Sequence, residues 1–248
     1  MGYVFAPLTF NFFKKEGKIV ALDIAEGKIQ WEYEISRDIR GGVAYSKNNN
    51  LVFFGSEEKK IYCLNAKTGA LVWQKKVSIL PRGVPRVDDL SGNVVFAGIS
   101  DPENSADQAT VYVYNMKNGE KVCSYNGLSF GVLGNPCVYG SRVIVGSLDK
   151  YIHCFDMTSG DLLWRVNVKA RCLASPALIE IEGNALLFIG ANNGALYEIN
   201  PDSGSVNSVS YFAERVVDGI TYDFKNANFI VPTIGNAVHV LKKRKESP

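Results

Sequence analysis

Four arginines and one phenylalanine recur at corresponding places in this chain, and together they describe an anion-binding mouth. They are Arg40 in Asp38-Ile-Arg-Gly-Gly, Arg82 in Leu80-Pro-Arg-Gly-Val, Phe130 in Leu128-Ser-Phe-Gly-Val, Arg171 in Lys169-Ala-Arg-Cys-Leu and Arg215 in Ala213-Glu-Arg-Val-Val. A guanidinium is a planar fork that matches a carboxylate or phosphate, and a phenyl face stacks on a flat group. Arginines gathered without counter-charge repel one another, so such a set calls for a nucleotide, a phosphorylated metabolite or an acidic peptide. The competing expectation is that each arginine is a strut tied to a carboxylate such as Asp38, Asp88 or Asp218. Repeat duplication copies a strut as readily as a ligand contact.

Catalytic signals are weak by comparison. The two histidines, His153 and His239, stand on apolar strands, and two histidines without clustered cysteines or carboxylates make a poor zinc site. There is no GxSxG elbow and no GxxxxGK[ST] phosphate loop. Gly41-Gly42 lacks the strand-to-helix setting that a phosphate loop needs. The acidic stretch Asp101 to Asp107 carries Pro102 and lacks the glycine and terminal glutamate of a calcium loop. It is expected to be a long inter-strand loop and a partner contact. These features predict a chain that is not an enzyme, with no cofactor and no metal.

The 248 residues are 46% hydrophobic and 21% charged, with a net charge of +2. That near-balance gives no pull toward nucleic acid as a whole. Cys63, Cys123, Cys137, Cys154 and Cys172 are odd in number and form no CxxC. They read as core thiols in a reducing compartment. The apolar run Tyr3 to Phe13 is followed, not preceded, by Lys14 and Lys15, unlike a secretory signal. No stretch reaches the roughly 18–20 apolar residues of a membrane span. The expected location is therefore cytoplasmic, with no membrane association.

What positions the arginines is an internal repeat. Ile19 to Trp31 recurs as Ile61 to Trp73 and as Ile152 to Trp164, with weaker copies at Val111 to Cys123 and Leu196 to Ser208. The turn glycines Gly27, Gly69, Gly119, Gly160 and Gly204 are separated by 42, 50, 41 and 44 residues. In each copy Asp or Asn ends a strand, Gly supplies the positive φ that reverses the chain, and a second strand carries Trp, Cys or Ser four residues on. With the two preceding strands, such as Val138-Tyr139 and Arg142 to Gly146, each unit is a four-stranded antiparallel sheet. One such sheet cannot bury both faces alone, and radial stacking solves this. The tryptophans are then wedges between sheets.

The motif [Leu/Phe/Tyr]-[Asp/Asn]-x-x-x-Gly-x-x-x-Trp, with Gly55-Ser56, Gly146-Ser147 and Ser175-Pro176-Ala177, resembles the PQQ-like repeat. That resemblance spans essentially the whole chain. It implies an all-β fold, a single β-propeller of about six four-stranded blades. The repeats fall near 1–40, 41–82, 83–130, 131–171, 172–215 and 216–241, with a basic tail at 242–248. The ring is either incomplete or closed by strands from the two termini. In one arrangement Gly2 to Phe5 completes the last blade; in the other it opens the first. The quinoprotein dehydrogenases of this class carry adjacent cysteines, which this chain lacks. Its outer-membrane assembly lipoprotein member needs a lipidated cysteine near its start, and none stands there. The expected function is a non-catalytic, protein-binding scaffold. The alternative is a ligand sensor using the arginine mouth.

Overall fold

The computed structural model describes residues 2–10, 16–100, 111–235 and 237–242. The Asp101 to Asp107 loop, Lys14, Lys15 and the tail beyond Lys242 lie outside the described residues. Every regular element described is a strand. The strands group into two compact units, one of residues 1–131 with the turn 157–160, the other of the remainder from Val132 onward.

The first unit holds three antiparallel sheets. The first sheet is β1 (Tyr3–Phe10), β2 (Glu16–Asp23) and β3 (Ile29–Ile35). The second is β4 (Ala44–Ser46), β5 (Leu51–Ser56), β6 (Lys60–Asn65) and β7 (Leu71–Lys76). The third divides its inner strand into β8 (Ile79–Pro81) and β9 (Arg86–Asp88). Both pair with β10 (Asn93–Ser100), which is followed by β11 (Val111–Asn115) and β12 (Lys121–Tyr125). In the second unit, the fourth sheet is β13 (Cys137–Tyr139), β14 (Arg142–Gly146), β15 (Tyr151–Asp156) and β16 (Leu162–Asn167). The fifth is β17 (Ala177–Ile181), β18 (Asn184–Gly190), β19 (Ala195–Ile199) and β20 (Val206–Tyr211). The sixth has three strands, β21 (Thr221–Asp223), β22 (Asn228–Pro232) and β23 (Val238–Lys242).

The N-terminal segment opens the first sheet, since Tyr3 to Phe10 pair with Asp23 to Glu16 along β2. In the second and fifth sheets the middle strands are apolar on both faces, because a sheet of the same unit packs on each side of them. On β5, Phe54 joins Ile19, Ala21 and Trp31 of the first sheet, while Phe53 joins Val94, Phe96 and Tyr114 of the third. On β18, Leu187 and Ile189 face the fourth sheet's Ile144 and Ile152, and Phe188 faces Phe229 of the sixth.

The repeated turn sets the spacing of these sheets. The Asn65 side-chain oxygen accepts from Lys67 N and Thr68 N, and Gly69 N returns to Asn65 O at 2.9 Å. Asp23, Asn115, Asn200 and Asp223 accept in the same way. Gly69 has φ +71°, which glycine adopts freely. The same glycine leaves room for Trp31, because a Cβ there would lie 2.7 Å from the indole. Trp31 Nε1 donates to Ala66 O of that turn at 3.0 Å, and Trp164 Nε1 donates to Pro201 O at 3.1 Å. Each indole thus fills the seam between sheets and satisfies its own donor. Cys123, where three of the copies have Trp, donates its thiol to Met157 O at 3.1 Å.

Candidate functional site

The five candidate residues occupy two positions of the connection between sheets. Arg40 and Arg82 come nine residues after Trp31 and Trp73. Phe130, Arg171 and Arg215 come seven after Cys123, Trp164 and Ser208. Backbone bonding marks the second position: Asn192 N donates to Arg171 O and Ile234 N to Arg215 O. In the first unit the same bond runs from Glu57 N to Asp38 O.

Arg40 and Arg82 meet on one carboxylate. Glu57 Oε2 lies 3.9 Å from Arg40 Nε and 3.4 Å from Arg82 Nη2. Asp38 Oδ2 is 3.8 Å from Arg40 Nε. A cleft of about 470 Å³ lies here, lined by Arg37, Asp38, Arg40 and Glu57 among others. Two atoms of its lining residues, Asp38 Oδ1 and Glu57 Oε1, are buried without a hydrogen-bond partner among the described residues, as is Nε of Arg82, which pairs with Glu57. Buried charged atoms left so are costly, which marks a place for water or a ligand. Beside the cleft, Glu58 accepts from Lys60 Nζ at 2.7 Å, Tyr62 Oη at 3.2 Å and Ser36 N at 3.0 Å. Burial pushes the Glu58 carboxyl up, but the bonds from Lys60 and Ser36 and the Lys60 charge bring it below its ordinary value.

Phe130 stands apart. It is 71% exposed and has φ +69°, an uncommon conformation for a bulky side chain. Gly131, with φ +93°, bridges to Ile99 and holds this turn against β10.

In the second unit, Arg171 and Arg215 are both exposed. Among the described residues, neither guanidinium has an ion-pair or hydrogen-bond partner. Neighbouring carboxylates are already engaged. Glu214 Oε2 accepts from Thr233 Oγ1 at 2.7 Å and Gly235 N at 3.0 Å, and Asp218 Oδ1 accepts from Gly219 N at 2.8 Å. A cleft of about 520 Å³ is lined by Asn192, Glu214, Arg215 and Gly235 among others. Asn192 Oδ1 is buried there without a partner. Of the carboxylates expected as struts, Asp38 is near Arg40, whereas Asp88 accepts from the Leu90 and Ser91 amides of its own turn. Glu57 and Asn192 were not singled out by sequence. Glu57 directly follows Ser56, the last residue of β5, and Asn192 comes two residues after Gly190, the last of β18; their place at the head of the hairpin was the available signal.

The titratable groups elsewhere serve packing. His153 is 1% exposed, and its Nε2 lies 3.0 Å from Asp149 Oδ2. His239 packs on the Phe212 ring at 4.7 Å. All five cysteines are buried and none is in a disulfide, and burial pushes the Cys63, Cys154 and Cys172 thiols up to about 12. Among the described residues, no group of three or more His, Cys, Asp or Glu is placed to hold a metal ion, and no helix is long and apolar enough to cross a membrane.

Blades of this build, joined by Trp-on-Gly seams, define the PQQ-like β-propeller class. The chain belongs to the family described as outer membrane protein assembly factor BamB, whose pattern matches residues 15–127 and 90–218. It is 23% identical over 175 residues to the outer membrane protein assembly factor BamB of Francisella tularensis, a match covering 68% of this chain and 35% of that protein. The chain thus matches only about a third of that relative's length. The solved structure of BamB from Moraxella catarrhalis superposes with a TM-score of 0.72 at 20% identity, covering 98% of this chain and 68% of that one. A europium-containing methanol dehydrogenase also superposes with a TM-score of 0.72, at 13% identity, covering 94% of this chain and 60% of that one. The fold is therefore shared by assembly factors and by enzymes.

These relatives overturn the cytoplasmic location expected from the sequence, since they are named for outer membrane protein assembly. The thiols misled for a physical reason. A sulfur buried in an apolar seam is kept protonated and out of reach of oxidants, so its being unpaired reports packing and not compartment.

Proposed function

We propose that this chain is a non-catalytic binding segment that holds a protein partner, in the service of outer membrane protein assembly. The family match across residues 15–218 carries this reading. Repeated blades give a rigid frame, and function on such frames sits in the connections between strands. The likeness to a dehydrogenase is one of fold alone, and this chain has none of the adjacent cysteines of the quinone enzymes. The test is cross-linking of the purified chain to proteins of the cell envelope, followed by native mass spectrometry. A defined protein complex without a small-molecule adduct is the expected result. An adduct of a few hundred daltons with no protein partner would sink it.

One observation favours a second reading, an anionic small molecule held in the second unit by Arg171 and Arg215. Arg171 and Arg215 have no carboxylate of their own among the described residues, so they are available to an anion. An adduct lost on their substitution would establish it.

A further inference from the structure

We infer that the second unit receives an acidic, extended peptide segment of a protein partner across Arg171, Asn192 and Arg215. The inference rests on the protein-binding reading above and specifies the chemistry of the segment bound.

The two connections that carry these arginines are built alike, each accepting a backbone N–H from the neighbouring hairpin through the arginine's own carbonyl. Asn192 links them. Its N–H bonds to Arg171 O, and its side chain lines the cleft that Arg215 also lines. The first unit's arginines differ, because Glu57 and Asp38 already balance Arg40 and Arg82. Of the four arginines, those left open to a partner's carboxylate are thus Arg171 and Arg215. Glu214 lines the same cleft and keeps its charge, but its Oε2 accepts from Thr233 and Gly235 and not from either guanidinium.

Asn192 Oδ1 sets a further requirement on the occupant. It is a buried acceptor without a partner, so whatever fills the cleft must bring a donor along with negative charge. A peptide does both: a side-chain carboxylate meets a guanidinium fork while a backbone N–H meets the amide oxygen. Inorganic phosphate brings charge and a P–OH donor, but as a single compact ion it fills little of a cleft of about 520 Å³.

The experiment uses the full chain and a short acetylated, fluorescent peptide of alternating Glu and Gly, with the Gln–Gly peptide as control. Anisotropy should show binding of the Glu peptide that weakens as salt rises, and no binding of the Gln peptide. Arg171→Glu/Arg215→Glu should lower affinity by about tenfold or more, as loss of charge pairs at a partly desolvated site does. Arg171→Gln/Arg215→Gln should fall between. An equal charge change at the exposed turn residues, Lys67→Glu/Lys225→Glu, should do much less. Asn192→Ala should weaken the peptide, and inorganic phosphate should compete poorly. Circular dichroism of each variant checks folding. Unchanged binding in both arginine variants, or displacement by phosphate at equal concentration, overturns the inference. If a protein partner is found and both arginine variants retain it, the inference falls while the protein-binding reading stands. If neither peptide nor protein is bound, both fall.

Discussion

The Trp73 indole N–H donates to the Met116 carbonyl at 2.8 Å, and the ring lies on Gly119, where a Cβ would come within 2.7 Å. One side chain thereby ties the second sheet to the turn of the third. Trp73→Ala should cost about 3–5 kcal/mol, because it opens a cavity and leaves the Met116 carbonyl with only the weak Cys63 thiol donor at 3.8 Å. Trp73→Phe should cost less. Gly119→Ala should destabilise as well, through both the ring and its φ of +66°. Urea unfolding of the three variants checks the order.

Phe130 is held at positive φ while its ring faces solvent. Phe130→Gly should therefore stabilise the chain by up to about 1 kcal/mol, since strain is relieved and little buried area is lost. Thermal melting measures this. A marked loss of stability would mean that the ring is covered.

Asp149 carries a pH dependence. Burial pushes its carboxyl up, but the His153 hydrogen bond and charge, with bonds from Tyr151 N and Ser147, hold it below the ordinary value. A carboxyl depressed in the folded state stabilises above its unfolded pKa and loses that contribution as pH falls through the folded one. Asp149→Asn should thus be less stable than the parent at pH 7, and the gap should close below about pH 4. Melting curves across that range test the sign.

The thiols give a simple readout. Cys63, Cys154 and Cys172 are buried and pushed up to about 12, so almost no thiolate exists at pH 8. Iodoacetamide should leave all five cysteines unmodified in the native chain and alkylate them in guanidinium. Rapid native labelling of any of the three would contradict the packing.

Glu57 should be more sensitive to charge than to size. Glu57→Gln leaves Arg82 without its carboxylate and Arg40 with Asp38 alone. The loss should be modest, about 1 kcal/mol, because Arg40 is half exposed. Added salt should narrow the difference in urea midpoint between variant and parent.

The blades were legible because their signals are local. An Asp or Asn that accepts from its own turn, a glycine at positive φ and a Trp four residues on are all written within one short stretch, as at Asn65, Gly69 and Trp73. The arginines were found by the same alignment, but their partners were not. Glu57 reaches Arg40 and Arg82 from a different hairpin, and sequence distance hides such meetings. Spacing did carry the difference between Arg40, nine residues after its Trp, and Arg171, seven after its own, but matching the short Arg-containing motifs passed over it. The place of the N-terminal strand was open in the sequence, since an apolar run fits either end of a blade array, and pairing with β2 decides it.

Phe53 and Phe54 are neighbours in the chain and strangers in the core, one serving the seam toward the third sheet and the other the seam toward the first. A side chain on such a strand answers to a single interface. Changes at one seam need no compensation at the next, so energetic coupling decays along the row of sheets like that of a one-dimensional lattice. A lineage can then duplicate or delete a whole repeat and renegotiate only the junction it touches. That economy lets proteins of quite different length share one architecture, with diversity confined to the connections and the frame left alone.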